Sequence, residues 1–249
     1  MKKSLLLSAL LAALVAQTAL ATPPVKYNVA NRDAALPEAS ELVTNLDVIS
    51  PNNNTLVWNA DKTLIKVVTW KSQSSYQNFL LPYTQTSSSE SFVTWVTLAP
   101  KMQAFCHQYL TDHPNATPAD LDYRLKQRLG LDSDWSYDVF VEMWVNPSDI
   151  FRPCVDPETN DSSCNLNFSS TVPTVKNIKD YPAFYKNVYY GSFRNSPNVP
   201  WTGLGYTYDW KYASKTPGAA EQGASEFILS PSTPYTIETA IPTWQYCAQ

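Results

Sequence analysis

The stretch WSYDVFVEMWV (135–145) alternates with the period of a β-strand. Tyr137, Val139, Val141, Met143 and Val145 share one face and read as core. Asp138, Phe140, Glu142 and Trp144 share the other, an unusual mixture of acids with large aromatics. Shorter runs of the same kind predict further strands in TLIKVVTWK (63–71), SFVTWVTLA (91–99), GLGYTYDW (203–210), SEFILS (225–230) and PYTIETAI (234–241). The polar stretch QTSSSES supplies a loop between the first two of these, and SPSTP predicts a hairpin turn between the last two.

Elsewhere the period changes to that of a helix. In PKMQAFCHQYL, opening near Pro100, the residues Met102, Phe105, Cys106, Tyr109 and Leu110 fall on one face. A second helix is bounded by Thr117 as N-cap, Pro118 and Asp120 in the first turn, and Gly130 as terminator. Leu121, Leu125 and Leu129 line its inner face, and Asp120–Arg124 and Asp122–Lys126 are spaced for ion pairs outside. DYPAFYKNVYYGSFR (180–194) carries Tyr181, Phe184, Tyr185, Val188 and Tyr189 at the same spacing. No internal repeat interrupts the series. Strands gathered around a short helical block predict an α+β fold, a mainly antiparallel β-sheet with two or three packed helices. Residues 55–249 form its single domain. Residues 22–54 lack periodicity, end in the turn formers SPNNN and are expected to be an extended N-terminal segment.

The first 21 residues belong to neither part. A basic start at Lys2 and Lys3, a short apolar run and Ala19-Leu20-Ala21 make a secretory signal peptide with cleavage after Ala21. A periplasmic or secreted protein follows, with no integral membrane segment after cleavage. Removing the two leader lysines leaves 16 basic residues against 22 acidic ones, a net charge of −6. Nucleic acid, which selects a basic stripe, is excluded as a partner. With 16% charged and 13% aromatic residues, the surface relies on Asn, Ser, Thr and Tyr, which suits protein or glycan contacts.

Export also governs the four cysteines, Cys106, Cys154, Cys164 and Cys247, which are expected to be oxidised. Three pairings are open; local loop closure favours Cys154–Cys164 and leaves Cys106–Cys247, a stapled fold with its C-terminus tied down. The acidic turn between Cys154 and Cys164 holds Asp156, Glu158 and Asp161 but has two prolines and no glycine, unlike a calcium loop. Zinc would need thiolates that oxidation removes. No metal and no cofactor is expected.

Catalytic motifs are few. GxSxG, HExxH, SxxK in the mature chain and a glycine-rich phosphate loop are all missing, and the chain has only six glycines. His107 and His113, six apart, point about 240° apart on a helix and cannot share a ligand there. Glu142, Asp209, Glu226 and Glu238 occupy polar parities of strands, where two carboxylates about 5–10 Å apart would suit glycoside hydrolysis. Glu226-Phe227-Ile228-Leu229, with Pro231 and Thr233 following, resembles the glutamate-bearing strand of ADP-ribosyltransferases. The arginine or histidine and the serine-containing strand of that family have no counterpart, so no role is carried over. The aromatic run VPWTGLGYTYDW (199–210) is the most distinctive feature, and it reads either as a wide core face packed on the helices or as a binding groove with Arg152 and Asp209 as polar anchors. The expected function is an exported, non-catalytic binding or interaction protein for glycan or protein. Its surface is built on Trp144, Arg152, Trp201, Tyr206, Tyr208, Asp209 and Trp210. The alternative is a carboxylate-dependent hydrolase of cell-envelope or extracellular glycan using Glu142, Asp209 or Glu226.

Overall fold

The computed structural model describes residues 24–195, 198–214 and 221–249; the leader expected at 1–21 and its cleavage point lie outside them. Strand β3 (Val139–Val145) pairs antiparallel along its whole length with β1 (Ile65–Lys71) and β8 (Tyr235–Pro242). With β2 (Thr94–Leu98), β4 (Ile150–Phe151) and β7 (Phe227–Leu229) they form a six-stranded sheet in the order β4-β7-β2-β1-β3-β8. A two-stranded ribbon joins β5 (Tyr206–Tyr208) to β6 (Gln222–Ser225).

β7 and β8 are consecutive yet do not form the hairpin expected from SPSTP, because β2, β1 and β3 stand between them. The crossing chain is fastened to other loops instead. Thr86 donates to the Ser230 carbonyl at 2.8 Å, and the Ser230 N–H donates to Asp149 O at 2.9 Å. Local alternation fixes a strand's faces but not its neighbour, and here the neighbour is distant in sequence.

Both faces of the sheet are covered, which accounts for the mixed character of β3. Val139, Val141, Met143 and Val145 pack with Ile65, Val67, Leu98 and Phe227 in one core, to which Tyr76 of α2 (Gln73–Phe79) adds its ring. Phe140 lies in a second core with Val68 and Trp70. Residues from α3 (Ala99–Asp112), α4 (Pro118–Leu129) and α6 (Thr243–Ala248) complete it. Helix α4 has the expected termini: Thr117 and Asp120 cap each other's N–H groups, and Gly130 takes the left-handed conformation at φ 67°. Of its expected ion pairs, Asp122–Lys126 forms at 2.6 Å. Arg124 turns inward to Asp209 instead, since Asp120 is occupied by the cap.

The segment before residue 55 is not extended. It contains α1 (Val25–Ala34), whose Tyr27, Ala30 and Ala34 are buried against Tyr208 and Trp210, and further on it buries Val43, Leu46 and Ile49. Its apolar groups fit a groove made by distant residues, so no local period advertises them. Helix α5 (Tyr181–Arg194) is capped by Asp180 and lays Tyr181 and Phe184 on Phe151. Both disulfides favoured by loop closure are present, Cys106–Cys247 and Cys154–Cys164, and they indicate an oxidising environment. Among the described residues no helix is long and apolar enough to cross a membrane.

Arg152 joins these parts. It is fully buried, and its guanidinium donates to Asp161 Oδ1 at 2.8 Å and to the carbonyls of Asp47, Asp161 and Ser163. One side chain thus holds the N-terminal segment, the disulfide loop and the sheet. Gly205, at φ 79°, passes so close that a Cβ there would lie 2.5 Å from Arg152 Cδ and 2.7 Å from Cys164 Sγ. Replacing Arg152 by Ala leaves three carbonyls without donors, and is expected to lower the unfolding free energy by about 3 kcal/mol or more. Urea denaturation with the disulfides intact measures it, and a loss under about 1 kcal/mol would contradict this role.

Candidate functional site: an aromatic cavity around Glu226

The sheet is divided along the line between β1 and β2. Their registered pairing covers only Val67–Leu98 and Val68–Thr97, whereas β2 pairs with β7 through Thr94, Trp95 and Val96. Past Val68 the two halves of the sheet part, and a cavity of about 580 Å³ opens there. β1, β2, α5, the end of α4 and the loop leading to β3 all contribute to its wall.

The lining is mainly apolar and includes seven aromatic side chains. Trp70 is fixed, stacked on Tyr137 at 4.6 Å and on Phe140 at 5.5 Å, with Nε1 donating to Thr243 Oγ1 at 2.8 Å. Trp95 and Trp135 are different. Both are partly exposed, and among the described residues neither indole has a hydrogen bond. Trp201 is buried against Tyr185, with ring centroids 4.9 Å apart, and its enclosed Nε1 has no acceptor among the described residues. Trp95 packs beside Phe184, and the parts of both indoles that stay exposed face the cavity, where an aromatic or sugar ring could lie.

Glu226 lies between β6 and β7. Its N–H donates to Gly205 O at 3.0 Å, while among the described residues its carboxyl group has no partner. Continuing the β2–β7 register one residue past Val96–Phe227 sets it abreast of Thr97, which is itself abreast of Val68. Protein surrounds the carboxyl group but its surface stays partly open to the cavity. Burial alone pushes its pKa up to about 8, because no nearby cation repays the desolvation of a carboxylate. Lys71 lines the same cavity, and burial alone pulls its ammonium down. Among the described residues the two side chains form no ion pair.

Most residues singled out from the sequence are engaged elsewhere. Asp209 is fully buried in a bidentate pair with Arg124 at 2.9 and 2.6 Å. Glu142 lies 3.3 Å from Lys66, which also meets Glu238 at 2.8 Å and sits over the Trp144 ring. Tyr206, Tyr208 and Trp210 are core residues whose polar tips bond Glu41 O, Asp33 Oδ2 and Leu131 O. Arg152 is buried as described. Trp201 alone of the seven binding candidates lines the cavity, and Glu226 alone of the three carboxylates. In the disulfide loop, Asp156, Glu158 and Asp161 bring carboxylate oxygens within 4.8 Å of one another. Asp161 is paired with Arg152, however, and Asp156 accepts from the N–H and Nδ2 of Asn165.

Trp70, Trp95, Trp135 and Lys71 were not singled out from the sequence. A signal existed: Val68-Thr69-Trp70 and Val93-Thr94-Trp95 repeat one tripeptide in two strands that turn out to be neighbours. Comparison of the chain with family models, curated proteins and solved structures finds no match.

An unfolded glutamate ionises near 4.5, but folded Glu226 keeps its proton up to about 8. The folded state therefore binds more protons across that window, and stability falls as pH rises through it. Thermal unfolding of the wild type is expected to shift downward between pH 4.5 and 8, and Glu226→Gln to remove part of that slope. Identical slopes would show that the carboxyl group is not desolvated.

Proposed function

We propose that the chain is an exported binding protein that takes a small ring-bearing ligand into the cavity between β1 and β2. The observation that carries this is an unpartnered carboxyl group, Glu226, at the wall of an aromatic cavity of about 580 Å³. A volume of that order holds a small molecule with most of its surface buried. Trp95 and Trp135 supply aromatic surface for a ring, while protonated Glu226 supplies a hydrogen bond that fixes orientation. Burying a polar group without a partner costs about 1–3 kcal/mol, and a ligand that satisfies the carboxyl group recovers it. The leader sequence and the two disulfides support export.

The specific observation favouring a catalytic reading is the same one. A carboxylic acid that keeps its proton to about pH 8 is suited to act as a general acid. The paired-carboxylate hydrolase lacks support from Glu142 and Asp209, which are tied to Lys66 and Arg124; Glu90 is the other carboxylate at the cavity.

One set of proteins tests both readings. Tryptophan fluorescence of the mature chain is titrated with a panel of oligosaccharides, nucleosides and NAD, and turnover of each compound that binds is followed. Binding is expected to quench wild-type fluorescence, with Trp95→Ala and Glu226→Gln each weakening it by about tenfold, the scale of one lost stacking or hydrogen-bonding contact. Turnover that disappears in Glu226→Gln would replace the binding reading by the catalytic one. Ligand affinity unchanged in both variants would remove the cavity from either.

A further inference from the structure

Lys71 is the last residue of β1, at the point where the two halves of the sheet have parted. Its backbone is fixed on one side. It lies in register with Val139 of β3, and its carbonyl accepts the Asp138 N–H at 2.9 Å. On the β2 side it has no registered partner, and it lines the aromatic cavity together with Trp70, Trp95 and Tyr137. The rim of that cavity includes the exposed residues Ser91, Asn187 and Gly191, so a ligand can enter from solvent.

Among the described residues the Lys71 amine has no hydrogen bond and no ion pair. It is not one of the enclosed unpartnered atoms either, so part of its surface stays open. Four other lysines have carboxylate partners: Lys66 meets Glu142 and Glu238, Lys101 meets Asp47, Lys126 meets Asp122 and Lys176 meets Asp149. A lysine that used only its stem for packing would carry its head out to bulk water. The head of Lys71 stays among protein instead, and burial unopposed by a carboxylate favours its neutral form. That form is the reactive one. In water about one lysine amine in a few thousand is neutral at pH 7, and only the neutral amine has a lone pair to offer a carbonyl carbon. Lysines desolvated by apolar walls are activated as nucleophiles in this way.

We infer that Lys71 is a covalent capture site: its Nζ condenses with the aldehyde or ketone carbonyl of a ring-bearing ligand held in the aromatic cavity. The inference rests on the proposed binding function of that cavity and narrows its ligands to ring compounds bearing a carbonyl. The lone pair of Nζ forms a bond to the carbonyl carbon as the C=O π pair moves to oxygen. One N–H proton passes to that oxygen, giving a neutral carbinolamine. The hydroxyl then departs with the second N–H proton as water, leaving a C=N bond. No oxidant or reductant is consumed, and added water reverses the step.

Two probes that share a ring system and differ in the carbonyl test this: naphthaldehyde and naphthalenemethanol. The mature disulfide-bonded protein is treated with the aldehyde and cyanoborohydride, which reduces an imine to a stable secondary amine, and labelled lysines are located by peptide mass mapping. Lys71 is expected to be labelled at least about tenfold faster than the exposed Lys62 and Lys186, because more of its amine is neutral. Excess alcohol should protect Lys71 and leave the exposed lysines unchanged. Lys71→Met should lose the fast label yet bind the alcohol with wild-type affinity in calorimetry. Lys71→Arg, which also forms no stable imine, serves where the methionine variant fails to fold. Labelling of Lys71 no faster than of the exposed lysines, or not blocked by the alcohol, overturns the covalent site. The binding reading survives that result if the alcohol binds and Trp95→Ala weakens it. An alcohol that does not bind, or binds indifferently to Trp95→Ala, overturns the cavity reading and the covalent site with it.

Discussion

The incomplete pairing of β1 with β2 is the constraint from which the rest of the molecule follows. Each strand is satisfied on its other edge, β1 by β3 along its whole length and β2 by β7 through three residues. Two registered pairs alone hold the halves of the sheet together at Val67–Leu98 and Val68–Thr97. Extending the ladder toward Lys71 and Thr94 would close the cavity. Instead the bulky side chains of Trp70 and Trp95 stand where the halves separate, and helices α4 and α5 bridge the opening. The hole in the sheet is a consequence of which hydrogen bonds were left unmade.

Aromatic residues divide into those that close the fold and those that face the opening. Tyr27, Tyr208 and Trp210 pack together with their polar tips bonded, and they fasten α1 to the body. Among the described residues the indoles of Trp95 and Trp135 make no hydrogen bond, and both are partly exposed at the cavity. The carboxylates divide in the same way: Asp209, Glu142 and Asp161 each meet a cation, and among the described residues Glu226 meets none. Buried charges are normally paired because desolvation is expensive. The exception marks the place where the protein's own interactions are incomplete.

Much of this was readable from the chain, and what was not has a common cause. The termini of α4 were legible because Thr117, Asp120 and Gly130 act within one turn of their own backbone. The strands and the staple of Cys154 to Cys164 were legible for the same reason of locality. Strand order was not, since nothing in SPSTP reveals that β7 and β8 lie on different sides of β1. The aromatic run from Trp201 to Trp210 admitted both a core and a binding-surface reading, because tyrosine and tryptophan serve interiors and binding sites alike; the structure buries it. The burial of Tyr208 and Trp210 depends on Tyr27 and Ala30, and that of Tyr206 on Val43 and Leu46, all far upstream. Glu226 was visible as a strand acid. Its isolation from Glu142 and Asp209 depended on where Lys66 and Arg124 came to rest.

The bond between Cys106 and Cys247 reaches beyond anchoring the tail. Helix α6, which it fastens to α3, carries Thr243, the acceptor for Trp70 Nε1, and Tyr246, whose ring lies 4.4 Å from Phe140. Trp70 and Phe140 are both part of the cavity wall. Thiol chemistry at one end of the molecule is therefore mechanically linked to the shape of the recess. A chain matured without oxidation would keep its strands but hold that wall by side-chain contacts alone.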